Sequence, residues 1–456
     1  MCTMKTIFGP DKLIGKILPQ QSASSDGLFF VSQFVIGFQY GNRHFAFNTL
    51  TKHCVELSIA LESFEPVSAG EIAEKSELTE LMRMRFLVPE AANECAVYEG
   101  VSALKRAFLR KKGYSTFTIM PTLACNARCV YCYEAGLQKS VMNEKTAAAA
   151  ADFIARTRRE GTFTRLIWFG GEPLLGEKQI DRICDELEKR AVDFDARIVT
   201  NGSLITDALA EKMASKWRVW SAQLSMDGAR ADYEKRKRYP SPGNYERVLE
   251  NINTLTRHGV SVSVRCNVDM DNIADIPQVL SDLSAAVRDK SMVSCAFVPL
   301  DQARAGEHGP ELWRSIIAAG DLIEASGLRY DRMGGLDTAF RVHHCMMDEA
   351  GGGVLIAPDG RLFPCLQCPE GSSYGNVFDG VTDAAALREF TSLGKLRAEC
   401  KTCTFLPDCT AFTHCPIVDR DCAAVRRMRA LPTLYELVRR ADAGAPPGPD
   451  NEPPVE

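Results

Sequence analysis

Three cysteines fall on one short stretch, Cys125-Asn-Ala-Arg-Cys129-Val-Tyr-Cys132, a CX3CX2C spacing. Thiolates are strong, soft metal ligands, and three on one loop can hold three irons of a [4Fe–4S] cluster. The fourth iron then lacks a protein ligand, unlike the usual four-cysteine site. An open iron can chelate a small molecule that offers an amine and a carboxylate together. The competing chemistry is a structural zinc site, usually built from paired CX2C units and four ligands. A second group runs from Cys345 through Gly360-Arg-Leu-Phe-Pro-Cys365, Cys368, Cys400-Lys-Thr-Cys403, Cys409 and Cys415 to Cys422. The chain has 17 cysteines in 456 residues. Disulfides are disfavoured in the cytosol, so clustered cysteines point to metal or redox chemistry. Cys2, Cys54, Cys95, Cys184, Cys266 and Cys295 stand apart and read as thiols without a role.

The cluster loop follows the first of six strand candidates, at 116–122, 165–169, 196–200, 221–225, 260–268 and 292–300. Helix candidates lie between them at 143–158, 179–190, 207–216, 245–258 and 273–287. Strand–helix alternation predicts a parallel sheet covered by helices, and six units predict a partial (β/α)6 barrel rather than a closed eight-fold one. Active sites of such folds gather at the C-terminal ends of the strands. Polar or glycine-rich tips stand there: Gly170-Gly171-Glu172-Pro173, Thr200-Asn201-Gly202, Ser225-Met-Asp227-Gly228, and Arg265 with Asn267. Glycines let the backbone approach a ligand closely, and the turn at 170–173 exposes carbonyls.

These motifs, in this order, resemble the radical S-adenosylmethionine (SAM) superfamily. The resemblance implies that Cys125, Cys129 and Cys132 hold a [4Fe–4S] cluster that passes one electron to the sulfonium of bound SAM. Homolysis would yield methionine and a 5′-deoxyadenosyl radical that abstracts hydrogen from a substrate. A low-potential donor, flavodoxin or ferredoxin, would supply the electron. The family's aromatic residue before the third cysteine lies near adenine, and Tyr131 stands at that position. Gly170, Gly171 and Glu172 match the GGEP motif that serves the SAM amino group. Asn201, Ser225 and Asp227 match positions near the ribose and carboxylate. Relatives often carry an arginine that meets the carboxylate; Lys237 stands at that register within Lys235-Arg-Lys-Arg238, leaving Arg236 or Arg238 as the candidate. Arg265 and Asn267 resemble a further SAM-facing pair.

The second cysteine group resembles the SPASM domain of peptide-maturing radical SAM enzymes, except that Cys409 and Cys415 are spaced CX5C where the pattern has CX3C. The resemblance implies two auxiliary [4Fe–4S] clusters. Cys400, Cys403, Cys409 and Cys422 would hold one. Cys345, Cys365 and Cys415 would hold the other, its fourth ligand being either Cys368 or a substrate thiolate. Sulfatase maturases carry a catalytic Asp directly after the GX4C cysteine; Leu366 stands there, which demotes formylglycine formation. No clear catalytic acid or base is legible. His343, His344 and His414 read as loop-surface residues beside cysteines.

Residues 1–100 read as a small α+β, winged-helix-like module. The segments 29–38 and 44–47 are strand-like around Gly41-Asn42, and Ser68-Ala-Gly-Glu71 is a capping-box pattern. A helix is expected at 77–85 and a strand at 86–88. The topology is similar to leader-binding modules of ribosomal-peptide maturases, where an extended peptide adds a strand to a sheet edge. The expected organisation is that module, a radical SAM core at 101–310, a polar connector at 311–340, an Fe–S domain at 341–430, and a helix end with a disordered Pro-rich, acidic tail at 431–456. Net charge is −5 with no long basic run, which gives no reason to expect nucleic acid. No apolar stretch is long enough to span a bilayer, and the default location is the cytoplasm. The expected function is a peptide maturase forming a crosslink in a precursor peptide with a leader, a thioether first. A carbon–carbon or carbon–oxygen crosslink, epimerisation, a protein-modifying enzyme of sulfatase-maturase type and a non-catalytic Fe–S redox sensor are the alternatives.

Overall fold

Ser261-Val-Ser-Val-Arg-Cys-Asn-Val268 shows why the middle of the chain forms strands. Val262, Val264, Cys266 and Val268 are buried, while Ser261, Ser263, Arg265 and Asn267 are half-buried on the opposite face. That period of two puts one face under helices and leaves a polar face uncovered. Six strands of the computed structural model lie here, β3 alternating in the same way while β1 and β6 are buried along nearly their whole length: β1 (Thr116–Thr122), β2 (Thr164–Gly170), β3 (Phe194–Thr200), β4 (Val219–Ser225), β5 (Ser261–Val268) and β6 (Val293–Pro299). They lie side by side in chain order and all parallel. The connecting helices are α1 (Glu144–Thr157), α2 (Glu177–Lys189), α3 (Asp207–Ser215), α4 (Arg230–Lys237), α5 (Asn244–Arg257) and α6 (Ile276–Ala286). Local chemistry starts several of them. The Asn143 side chain accepts from Thr146 N at 2.8 Å, and Thr206 accepts from Leu209 N at 3.2 Å. This is the partial barrel expected from the alternation. The structure describes residues 4–9, 14–18, 21, 27–109, 113–300, 309–330, 336, 340, 352–366, 370–391, 396–409 and 423–444.

The sheet extends beyond six strands on both sides. Arg329–Tyr330 pairs parallel with β6, and Gly353–Ile356 runs parallel beside β1 before the antiparallel strands Arg361–Phe363, Gly375–Asn376 and Gly380–Val381. The helix Gly309–Ala325 buries Leu312, Trp313, Ile316, Ala319 and Ile323. Residues 311–330 are therefore part of the α/β layer and not the polar connector expected. Their helical spacing of apolar residues was hidden by the polar residues around them.

Two compact units result. One holds residues 111–333 and 345–392, the other 1–110, 334–344 and 393–456. In the second unit, a four-stranded sheet (Met4–Phe8, Cys54–Leu57, Arg43–Asn48, Val35–Tyr40) packs Ile36, Phe38, Phe45 and Phe47 against Leu434, Leu437 and Val438 of the helix Ala423–Asp442. Phe405 and Cys403 join the same core. Lys52, fully buried, pairs with Asp408 at 2.7 Å, and Thr49 Oγ1 donates to Thr404 O at 2.6 Å. The segment 396–409 is thus built into the N-terminal module, and the expected boundary at 430/431 falls inside a helix.

Within the module the capping box is present: Glu71 N donates to Ser68 Oγ at 3.3 Å and Ser68 N to Glu71 Oε2 at 2.9 Å. Helices Ala69–Glu74 and Ser76–Arg83 accompany a three-stranded antiparallel sheet of Val67–Ser68, Leu28–Val31 and Leu87–Pro89. The expected strand at 29–38 is two strands in two different sheets. The chain breaks at Ser32–Phe34, where Glu94 takes Gln33 N at 2.8 Å and the Ser32 hydroxyl. A side chain there replaces the ladder partners a continuous strand would need. Cys54, Cys184, Cys266 and Cys295 are buried free thiols and Cys95 is a half-buried one; Cys2 lies outside the described residues.

Candidate active site

Cys125, Cys129 and Cys132 sit on the loop that leaves β1, all three as free thiols, the first two half-buried and the third exposed. The loop is seated from two sides. On one side, Gly171 N donates to Thr122 O at 3.2 Å and Glu172 N to Ala124 O at 2.8 Å. The glycines make that contact possible. A Cβ on Gly170, whose φ is +124°, would stand 2.3 Å from Thr122 O, and one on Gly171 would stand 2.5 Å from Ala124 O and 2.6 Å from Leu123 O. The backbone these glycines approach is thus the cysteine loop itself.

Glu172 is fully buried, and its carboxylate is a clamp between strand tips. It accepts from Leu174 N at 3.1 Å, Thr200 Oγ1 at 2.7 Å and Asn201 N at 2.9 Å. Burial, the largest influence, raises its pKa despite these donors. Asn201 Nδ2 donates to Asn126 Oδ1 at 2.8 Å, and Asn126 Nδ2 donates to Ser203 Oγ at 2.9 Å, so the tip of β3 also holds the loop.

On the other side stands the end of α4. Arg128 N donates to Lys237 O and Val130 N to Arg236 O, both at 2.9 Å. The Tyr131 hydroxyl donates to Asp227 Oδ2. Lys237 Nζ lies 2.6 Å from Asp227 Oδ2, 2.9 Å from the Tyr131 hydroxyl and 2.7 Å from Ser225 Oγ. Asp227 Oδ1 accepts from Asn267 N at 2.8 Å and Asn267 Nδ2 at 2.9 Å, and Arg265 Nε donates to Asn267 Oδ1 at 3.0 Å. Tyr131, Ser225, Asp227 and Arg265 are therefore joined in one network, and the hub is Asp227 with Lys237. Burial works to raise the Asp227 pKa, but Lys237 holds it low. Burial likewise works against the charged Lys237, and Asp227 holds its pKa well up. Arg236 grips Asp269 through both terminal nitrogens at 2.7 and 3.1 Å and lies 5.6 Å from the Tyr131 ring centre; its buried Nε has no hydrogen-bond partner among the described residues. Asp269 and Asn126 were not singled out from the sequence. Their signal is only their place, one inside the CX3C gap and the other just past the end of β5.

Burial pushes the Cys125 thiol up to about 11, against the pull of an Ala127 N–H 3.4 Å from its sulfur, and burial raises Cys132 as well. Among the described residues no His, Cys, Asp and Glu side chains converge as the ligands of a single metal ion do. Three free thiols on one loop match the three-ligand set of a [4Fe–4S] cluster with one iron open. The donor set therefore fits the SAM-binding cluster expected there.

Of the cysteines expected to hold auxiliary clusters, four lie among the described residues. Cys365 follows the strand Arg361–Phe363 in the barrel unit; Cys400, Cys403 and Cys409 lie half-buried in the other unit. Cys345, Cys368, Cys415 and Cys422, and His343, His344 and His414, lie outside the described residues.

Residues 119–283 match the model of the radical SAM superfamily. These residues form a radical SAM domain. The serine-type anaerobic sulfatase-maturating enzyme of Bacteroides thetaiotaomicron is 31% identical over 149 residues, covering 30% of this chain and 35% of that enzyme. The Fe-coproporphyrin III synthase of Methanosarcina barkeri is 25% identical over 158 residues, covering 35% of this chain and 38% of its own. The chain thus spans little more than a third of the length of these curated relatives. Among solved structures, native anSMEcpe with bound AdoMet superposes with a TM-score of 0.55 at 16% identity, over 72% of this chain and 99% of that one. Streptococcus suis SuiB bound to S-adenosylmethionine gives a TM-score of 0.53 at 15% identity, over 87% and 96%. These establish a common fold. Among the described residues no helix is long and apolar enough to cross a membrane.

Proposed function

We propose that this chain is a radical SAM enzyme that matures a precursor peptide by forming an intramolecular crosslink, with a cysteine thioether as the leading product. The observation that carries the catalytic reading is the seating of the three-cysteine loop. Three free thiols are held at the C-terminal ends of a partial barrel by Glu172 on one side and the Lys237–Asp227 pair on the other. A cluster bound there would deliver one electron to SAM and so release the adenosyl radical. The chain's own contribution is to fix the loop, to offer Ser225 and Arg265 on the uncovered sheet face, and to keep water from the buried Asp227–Lys237 pair. The cofactor supplies the difficult chemistry; the protein supplies position and electrostatics.

The peptide reading draws on more than the barrel. Solved relatives of this fold include SuiB bound to the precursor peptide SuiA and anSMEcpe bound with the Cp18Cys peptide. The N-terminal module of residues 1–100 contains a three-stranded antiparallel sheet beside the helices Ala69–Glu74 and Ser76–Arg83, and its short edge strands suit addition of an extended leader. Cys400, Cys403 and Cys409 are partly accessible for an auxiliary cluster. The fourth ligand of the other auxiliary site, Cys368 or a substrate thiolate, belongs to the same proposal, as does a flavodoxin or ferredoxin donor. The test is direct. Reduced, anaerobically reconstituted enzyme is incubated with SAM and a Cys-bearing precursor peptide encoded beside its gene. Mass spectrometry should show loss of two hydrogens from the peptide together with loss of one alkylatable thiol. A product with its thiols intact would exclude the thioether and leave carbon–carbon, carbon–oxygen or epimerised products. No 5′-deoxyadenosine at all, with the cluster present, would exclude the enzyme.

A further inference from the structure

We propose that Lys237 is the positioning residue that seats the cysteine loop, and not the cation that receives the carboxylate of SAM; this rests on the radical SAM reading of the same site. An ammonium has three N–H donors. Those of Lys237 point at three acceptors of this chain: Asp227 Oδ2 at 2.6 Å, Ser225 Oγ at 2.7 Å and the Tyr131 hydroxyl at 2.9 Å. The side chain is 2% exposed and its partner Asp227 is 0% exposed, so the pair is closed to solvent. Asp227 is equally committed. Its two oxygens take Lys237, the Tyr131 hydroxyl, and both the backbone and side-chain N–H of Asn267.

A lysine that swung out to meet an anion would leave Asp227 charged and buried, which proteins avoid strongly. Held in place, the ammonium does two things at once. It neutralises Asp227, and it fixes the hydroxyl of Tyr131, the residue between Cys129 and Cys132. The same helix end grips the loop backbone, because Lys237 O and Arg236 O accept from Arg128 N and Val130 N. Arg238 follows with a φ of +50°, so α4 stops here with its last carbonyls directed at the loop. Side chain and backbone of one residue thus reach both the hydroxyl and the amide that set the loop's path.

The first arm needs no cofactor. Hydrogen exchange is followed in the full chain with iron chelated and thiols reduced. Lys237→Met should speed exchange of the Arg128 and Val130 amides by about tenfold or more, the behaviour of a locally released loop, while 194–200 stays protected. Lys237→Arg should recover part of the protection, since it keeps the charge. Unchanged loop exchange in folded Lys237→Met would overturn the proposal. If that variant fails to fold, Tyr131→Phe keeps the ion pair and removes only the anchor; it should release the same two amides, and unchanged protection would again overturn the proposal. The second arm uses reconstituted enzyme with SAM and decarboxylated SAM. A positioning role predicts that Lys237→Met weakens both by the same factor. A loss confined to SAM would make Lys237 the carboxylate cation. Wild-type enzyme that binds neither would sink the proposed function while leaving the exchange result standing.

Discussion

Replacing Gly171 by alanine tests the seating of the cysteine loop with one methyl group. The added Cβ would stand 2.5 Å from Ala124 O, 2.6 Å from Leu123 O and 2.8 Å from Ala124 C, where ordinary contact begins near 3.4 Å. All three are backbone atoms, so no side chain can rotate away. The loop must retreat by nearly 1 Å, and the Glu172 N to Ala124 O bond at 2.8 Å lies in the path of that retreat. Overpacking of this kind costs about 1–3 kcal/mol, and loss of the hydrogen bond adds about 1 kcal/mol. Denaturant-dependent hydrogen exchange in β1 and β2 would read the cost, and iron and sulfide content after reconstitution would read its effect on loading. Gly100→Ala is the control. Gly100 lies in the helix Glu94–Leu109 with nothing within 4 Å of an added Cβ, so that variant should gain about 0.5–1 kcal/mol. Gly171→Ala that matches wild type within about 0.5 kcal/mol, the scatter of innocuous surface changes, and loads iron fully would refute the close approach.

Cys125→Ala, Cys129→Ala and Cys132→Ala should each abolish SAM cleavage, measured as 5′-deoxyadenosine, because each would remove one of the three ligands proposed for the cluster. Full cleavage in any one of them counts against the site. Glu172→Gln must turn its NH2 toward either Leu174 N or Asn201 N, leaving a buried donor unpaired; a loss of about 1–3 kcal/mol is expected, and an unchanged denaturation midpoint would contradict the clamp. Burial, aided by Arg83, lowers the His53 pKa from 6.5 to about 4, so the fold favours neutral imidazole. Stability of its unit is then fully present above pH 6.5 and falls as pH drops through about 4, by up to about 3 kcal/mol. His53→Gln should flatten that profile, and a profile unaltered by the substitution would assign the effect elsewhere. Cys403→Ala should spare SAM cleavage yet stop crosslink formation; equal product would make the auxiliary site dispensable. A leader-binding role is better tested by substitutions at exposed residues such as Leu28 than by removing the module, since Phe38, Phe45 and Phe47 form one core with Leu434 and Val438.

The barrel was legible because strands such as 194–200 and 261–268 alternate strictly, and its helices carry caps such as Asn143 and Thr206. The cysteine loop was legible because ligand spacing is local. What depended on distant partners was not. Nothing near Ser32 in the sequence announces that Glu94 will break the strand there. The neighbours of Gly170-Gly171-Glu172 were not legible either: the glycines approach, and the acid clamps, the protein's own backbone. The charge run at 235–238 gave no way to choose among its cations. Burial did, placing Lys237 on Asp227 and Arg236 on Asp269. The segment 396–409 joined the N-terminal module through Lys52 and Asp408, a pairing across more than 350 residues that no local pattern records.

The most direct test of the central claim is the electron paramagnetic resonance spectrum of anaerobically reconstituted, reduced protein, recorded with and without SAM. A cluster held by Cys125, Cys129 and Cys132 with one iron open should show a [4Fe–4S] signal that changes when SAM is added and is absent in Cys129→Ala. Zinc in place of iron, or an iron signal indifferent to SAM, would contradict it.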